Sequence, residues 1–161
     1  GFFECSHVKE YVGTDVINDV CKKTKEFAKT YNKKCTIYCK PSEKLLDSES
    51  FSKKYKNYFD VVFFSPPYYE LELYDSKNQS TNSYNSYEEW LEKYWEKTIK
   101  LCYYVLEKNG KLCYILSGYG KNLQYDLVKD MNEITSKYFK KSQIKDMHNK
   151  NANITKHCNC G

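Results

Sequence analysis

Asp60 opens an apolar run, Val61-Val62-Phe63-Phe64, that stops abruptly at Ser65-Pro66-Pro67-Tyr68. A continuous β-branched and aromatic run of this length suits a strand buried on both faces of a parallel sheet. The two prolines lack a backbone N–H and cannot continue a central strand. The strand end is therefore fixed at Phe64. A strand of this kind demands neighbours on its edges and helices over its faces, which restricts the chain to an α/β architecture.

The rest of the chain supplies those partners. Val8 to Thr14 reads as a short strand ending at Asp15, followed by a helical pattern with apolar residues at Ile17, Val20, Cys21, Phe27, Ala28 and Tyr31. Cys35-Thr36-Ile37-Tyr38-Cys39 is the next strand, ended by Pro41, and residues 48–58 carry a weak helical pattern. Residues 69–85 form a long polar stretch rich in Ser, Asn and Gln. Loops of this length in compact domains are usually functional or disordered. Ser86 is placed to cap a helix, with Glu89 as its capping-box partner. The stripe Tyr87, Trp90, Leu91, Tyr94, Trp95, Thr98, Cys102, Val105 and Leu106 has helical spacing and reads as core packing. Asn109-Gly110 is expected to close that helix. Lys111 to Leu116 is a further strand, Ser117-Gly118-Tyr119-Gly120 a turn, and a weaker helix runs to about residue 137. Alternation of strand and helix predicts a Rossmann-like, doubly wound, mostly parallel α/β sheet, in which ligands bind at the carboxyl ends of the strands. Asp15 and Ser65 to Tyr68 both lie at such ends.

The 161 residues suffice for one core. Residues 1–140 are read as that domain and 141–161 as a polar tail or loop. The net charge is +5, and all 26 basic residues are lysine. Lysine neutralises phosphate as a point charge, but the bidentate arginine contact to guanine is excluded. A lysine-rich solvated surface reads equally well from this composition. None of the eight cysteines forms a C-x-x-C pair. They read as free thiols of a reducing compartment, the cytoplasm, or the nucleus in a eukaryote. Cys158 and Cys160, with His157, match no zinc spacing, so no metal is expected. No apolar run is long enough to predict a membrane span.

Phe63-Phe64-Ser65-Pro66-Pro67-Tyr68 resembles motif IV, (D/N/S)PP(Y/F/W), of the S-adenosylmethionine-dependent DNA amino-methyltransferases. Tyr11-Val12-Gly13-Thr14-Asp15 resembles the strand bearing their motif II acid. The helix from Tyr87 and the segment Val105-Leu106-Glu107-Lys108-Asn109-Gly110-Lys111-Leu112 resemble the helix, turn and strand that follow. The likeness spans about residues 8–120. It implies the class I methyltransferase fold, S-adenosyl-L-methionine as cofactor, and a DNA base as substrate, methylated at cytosine N4 or adenine N6. The base would be flipped from the duplex or presented in a single strand. Serine at the first motif position leans slightly toward cytosine.

The resemblance implies roles residue by residue. The Ser65 side chain and the Pro66 carbonyl would accept hydrogen bonds from the exocyclic amine and localise its lone pair toward the sulfonium methyl. Pro66 and Pro67 would stiffen that carbonyl, and Tyr68 would stack on the base. Asp15, with Val16 beside it, would bind the cofactor ribose. Ser42 and Glu43, after the second strand, would face the cofactor adenine, and Ser65 would also touch the cofactor. Tyr69, Glu70 and Tyr74 would line the base pocket or anchor the loop. The glycine-rich motif I and its strand are expected ahead of residue 1, between the strands ending at Asp15 and at Ser65. The family's last antiparallel strands are not evident after residue 140. The fold is thus expected to be truncated at both ends. Three alternatives stand beside the enzyme reading. Ser-Pro-Pro-Tyr also occurs as a plain turn or proline-rich ligand, and Asp15 could simply cap a helix. The domain could be an inactive copy that keeps binding, or could methylate RNA or protein on the same fold.

Overall fold

The structure, a computed structural model, describes residues 2–69, 83–116, 125–141 and 143–145. Glu70, Tyr74, the turn 117–120, the tail 146–161 and thus Cys158, Cys160 and His157 lie outside the described residues.

Strand β1 (Glu10–Asp15) runs parallel to β2 (Lys34–Cys39), in register from Glu10 opposite Lys34 to Asp15 opposite Cys39. Parallel neighbours need a crossover, and α1 (Asn18–Thr30) supplies it. A 3-10 segment, Ser42–Asp47, leads into α2 (Glu49–Tyr55), whose first turn is capped by Ser48 accepting from the Phe51 N–H. Strand β3 (Phe59–Phe64) runs parallel to β4 (Leu106–Tyr114). The helix between them begins as α3 (Tyr87–Trp90), passes through a π-helical segment, Leu91–Glu96, and continues as α4 (Lys97–Val105). Last comes α5 (Leu127–Ser136), capped by Asp126.

The capping signal holds. The Ser86 hydroxyl accepts from the Glu89 N–H at 3.1 Å, and the Glu89 carboxylate accepts from the Asn85 N–H at 2.8 Å. The aromatic stripe is core: Trp90, Trp95 and Ile99 are fully buried, and Tyr87, Tyr94, Cys102 and Val105 nearly so. The π turn has a physical use here. Its wider winding lets Trp90 and Trp95, five positions apart, face the same core. The Trp95 indole N–H donates to the Met131 carbonyl at 2.8 Å and so fastens α5 to this helix.

Three expectations need correction. The single wound sheet is instead two two-stranded parallel sheets, β1-β2 and β3-β4, among the described residues. The mixed α/β character and the parallel pairing remain. The two sheets are joined through side chains. Leu45, Phe51, Tyr55, Leu101 and Val105 form one cluster against Val12 and Tyr38 of the first sheet and Phe59 and Val62 of the second.

Second, β3 is not buried on both faces. Val61 is 43 % exposed and Phe63 49 %, while Val62 and Phe64 pack inward. Helices from the described residues cover one face of β3, so the inward residues alternate with outward ones, as the strand period requires.

Third, Asn109-Gly110 does not close the helix. The helix ends at Val105 and β4 begins at Leu106. The register jumps from Phe59 opposite Leu106 to Val61 opposite Lys111, so Asn109 and Gly110 form a bulge within β4. Asn109 does adopt the left-handed conformation, with φ at 72°. A Cβ on Gly110 would lie 3.0 Å from the backbone oxygens of Phe59 and Glu107, which the bulge brings close.

Candidate functional site

Strands β1 and β3 end at Asp15 and Phe64, and both ends open on one cavity of about 1280 Å³. Asp15, Val16, Ser42, Glu43, Ser65 and Pro67 all line it. Six residues from three segments of the sequence therefore line one cavity. Leu45, Phe51, Leu101 and Val105 are among its apolar lining residues.

Asp15 is half-buried, and its Oδ1 accepts from the Ile17 N–H at 2.8 Å. That bond closes an Asx turn just ahead of α1, whose N-cap, Ile17, takes no side-chain cap bond, so Asp15 does not cap the helix. Among the described residues no side chain takes its Oδ2. The Ser42 and Thr98 hydroxyls are 2.9 Å apart, linking the 3-10 segment to α4. Glu43 is only 9 % exposed. Its Oε1 accepts from the Tyr84 hydroxyl at 3.1 Å, whereas its buried Oε2 has no partner among the described residues. A buried oxygen without a partner carries a desolvation cost of about 1–3 kcal/mol, more for a charged group, unless something donates to it. Burial, and after it the charge of Glu43 and their hydrogen bond, raise the Tyr84 phenol above its ordinary range, so it stays a donor at neutral pH. Tyr94 is buried against the same carboxylate and is raised likewise, burial being the larger cause.

The proline motif divides between the cavity and the core. Ser65 is exposed and lines the cavity with Pro67, whereas Pro66 is fully buried. Tyr68 and Tyr69 are buried in the main core, at 6 % and 8 % exposure. The Tyr68 hydroxyl donates to the Ile115 carbonyl at 3.5 Å. The Tyr69 ring lies 5.3 Å from Tyr87 and 5.6 Å from Trp90. Neither ring lines the cavity, so stacking by Tyr68 on a base needs its ring to leave this packing. Tyr74 lies outside the described residues.

The sequence reading missed Thr98 and Tyr84. Both lie far along the chain from Ser42 and Glu43, and no local pattern announces them. It also missed Tyr58, whose hydroxyl donates to Glu10 Oε2 at 2.7 Å and so links the amino-terminal ends of β3 and β1. Among the described residues no cluster of three metal-ligating side chains occurs, and no helix is long and apolar enough to cross a membrane.

No protein-family model matches the chain, and no curated protein matches it. Among solved structures it is similar to the PH0226 protein of Pyrococcus horikoshii OT3, with a TM-score of 0.60 and 16 % identity. The match covers 94 % of this chain and 69 % of that one. At this identity the likeness concerns the fold, a mixed α/β architecture of parallel strands and helices.

Proposed function

We propose that the chain is the catalytic part of an S-adenosylmethionine-dependent amino-methyltransferase acting on cytosine N4 or adenine N6 in DNA. One observation carries the reading. Asp15 ends β1 and Ser65 follows β3, and they share a cavity with Ser42 and with buried Glu43, whose Oε2 has no partner among the described residues.

The residues present suit that cofactor. Asp15, whose Oδ2 takes no side chain among the described residues, would accept from the cofactor's ribose hydroxyls. The Glu43 Oε2 would accept from an amine such as the adenine amino group, which would offset the cost of its burial. When bound, the cofactor supplies an electrophilic methyl group. The protein's part is alignment of the nucleophile. The Ser65 Oγ accepts from one hydrogen of the exocyclic amine, and the Pro66 carbonyl, in a residue that is buried and off the cavity wall, reaches the other only if the backbone there shifts. The amine's lone pair is thereby withdrawn from ring conjugation and turned toward the methyl group. Lysines alone neutralise the DNA phosphates, so affinity is expected to fall steeply with salt.

The test is transfer of labelled methyl from S-adenosylmethionine to DNA, together with calorimetric binding of the cofactor. Glu43→Gln and Asp15→Asn should weaken cofactor binding. Ser65→Ala should leave binding intact and reduce transfer by about 100-fold, the order seen when one aligned hydrogen-bonding group is lost. Unchanged transfer in Ser65→Ala would defeat the proposal. A second reading, a domain that binds cofactor or base without transferring methyl, is favoured by the core position of the Tyr68 ring. Cofactor binding with no transfer by the parent chain would select it.

A further inference from the structure

Glu43 is held at one oxygen only. Its Oε1 accepts from the Tyr84 hydroxyl at 3.1 Å, while Oε2, in a residue only 9 % exposed, has no partner among the described residues. Glu43 lines the large cavity and Tyr84 does not. Tyr84 therefore acts on the cavity through the carboxylate that it holds.

The chain is firm on both sides of that bond. Ser42, the residue before Glu43, has its hydroxyl 2.9 Å from that of Thr98, which is buried on α4. The 3-10 segment is thus tied to α4 through Ser42 and to the residues ahead of α3 through Glu43. Tyr84 stands just ahead of Ser86, where the paired bonds of Ser86 and Glu89 fix the chain. A second acceptor, the Lys93 carbonyl, lies 3.5 Å from the Tyr84 oxygen. A phenol has one hydrogen to give, and the nearer acceptor takes it.

The direction of the bond has a chemical consequence. Burial, and after it the charge of Glu43, raise the Tyr84 phenol above its ordinary range, so it remains a donor. A carboxylate only accepts. With Tyr84 donating to one oxygen, the other stays an acceptor, and a ligand group that meets it must donate. On a purine this requirement separates a 6-amino edge from a 6-oxo edge. The amine donates, whereas the carbonyl oxygen sets one acceptor against another. A site built for a donor rejects the analogue that lacks it.

We propose that Tyr84 is a positioning residue, which fixes the Glu43 carboxylate as an acceptor and thereby makes the cavity select a 6-aminopurine over a 6-oxopurine. The role rests on S-adenosylmethionine being the cofactor, but not on methyl transfer. Its signature lies in the amide variant. In Glu43→Gln the Tyr84 hydroxyl takes the amide oxygen, which turns the amide nitrogen, a donor, to the place of Oε2. The preference should then invert. Without the Tyr84 hydroxyl the amide can flip, and the inversion should vanish. A bond that only braces the fold predicts neither result.

Calorimetric binding of S-adenosylhomocysteine and S-inosylhomocysteine tests the role, with the melting temperature followed alongside. The parent should prefer the adenosyl compound by at least about tenfold, the order of one hydrogen bond to a charged group. Tyr84→Phe should cut that preference to about threefold or less. Glu43→Gln should favour the inosyl compound, and the double variant should favour neither. Ser86→Ala, which loosens the same stretch of chain, should lower the melting temperature and keep the parent's preference. An undiminished preference in Tyr84→Phe overturns the proposal, as does equal inversion in Glu43→Gln and the double variant. Loss of preference in Ser86→Ala as large as in Tyr84→Phe overturns it too, since loosening would then suffice. A parent that binds neither compound overturns the cofactor reading and this role with it. A parent that discriminates as expected but transfers no methyl supports this role and overturns the transfer reading alone.

Discussion

Alanine at Phe63 and at Phe64 separates a strand covered on one face from a strand covered on both. The two rings are neighbours in sequence and opposite in environment. Phe64 packs 5.9 Å from Trp95 and 6.3 Å from Tyr114, inside the main core. Truncating a packed phenylalanine costs about 3–5 kcal/mol, because transfer and cavity terms add. Phe64 is half-buried, which places it near the lower end, at about 3 kcal/mol. Phe63 is 49 % exposed, and its ring neighbour Phe2 is 40 % exposed. Full burial of such a side chain is worth up to about 3 kcal/mol, so half of it gives at most about 1.5 kcal/mol. Solvent fills the space left behind, so no cavity term is added. The expected difference between the variants is about 1.5 kcal/mol. With a urea slope of about 2 kcal/mol/M it separates their midpoints by about 0.75 M. The assay is equilibrium urea unfolding followed by far-ultraviolet circular dichroism and by tryptophan fluorescence. The slope should be unchanged, so that the midpoints report stability alone. Equal costs for the two variants would refute the placement of β3.

Trp95→Phe should cost about 1–3 kcal/mol, since it removes buried area and one hydrogen bond of about 1 kcal/mol to the Met131 carbonyl, which keeps the 2.8 Å bond from Thr135; a urea midpoint equal to the parent's would contradict the fastening of α5. Ser86→Ala should cost about 1 kcal/mol by leaving the Glu89 N–H without its cap, with Ser86→Asp restoring most of the loss in the same titration. Burial pushes the Cys102 thiol up to about 12, and burial together with neighbouring Cys39 pushes Cys21 up to about 11, from an ordinary 9.0. The folded chain therefore holds these protons more tightly than the unfolded chain. Their contribution to stability is complete below about pH 9 and is lost as pH rises toward the folded values. The melting temperature should decline from about pH 9 upward, and a flat profile to about pH 11 would contradict the burial of these thiols. Tyr68→Ala should lower the melting temperature as well as methyl transfer, because the ring is core; loss of transfer with unchanged melting would instead place that ring at the substrate.

What the sequence reveals follows the range of the interaction. The end of β3 is legible because two prolines terminate a ladder on their own account. The helix from Tyr87 is legible because its cap and stripe are local. Asn109-Gly110 is misread because a helix cap and a strand bulge require the same left-handed residue, and only the register against β3 distinguishes them. The meeting of Glu43 with Tyr84 and of Ser42 with Thr98 depends on how α3 and α4 dock, which no short window records. The split between the two sheets is equally hidden, since an edge looks apolar whether or not a neighbour is present. The motif itself holds a constraint that the residue types do not express. Through Ser65-Pro66-Pro67-Tyr68 the residues alternate, with Ser65 and Pro67 on the cavity and Pro66 and Tyr68 buried away from it. A serine facing the amine and a tyrosine facing the base three positions later cannot both follow from that alternation. Under the proposed function, one of them would require the backbone to turn after Pro67.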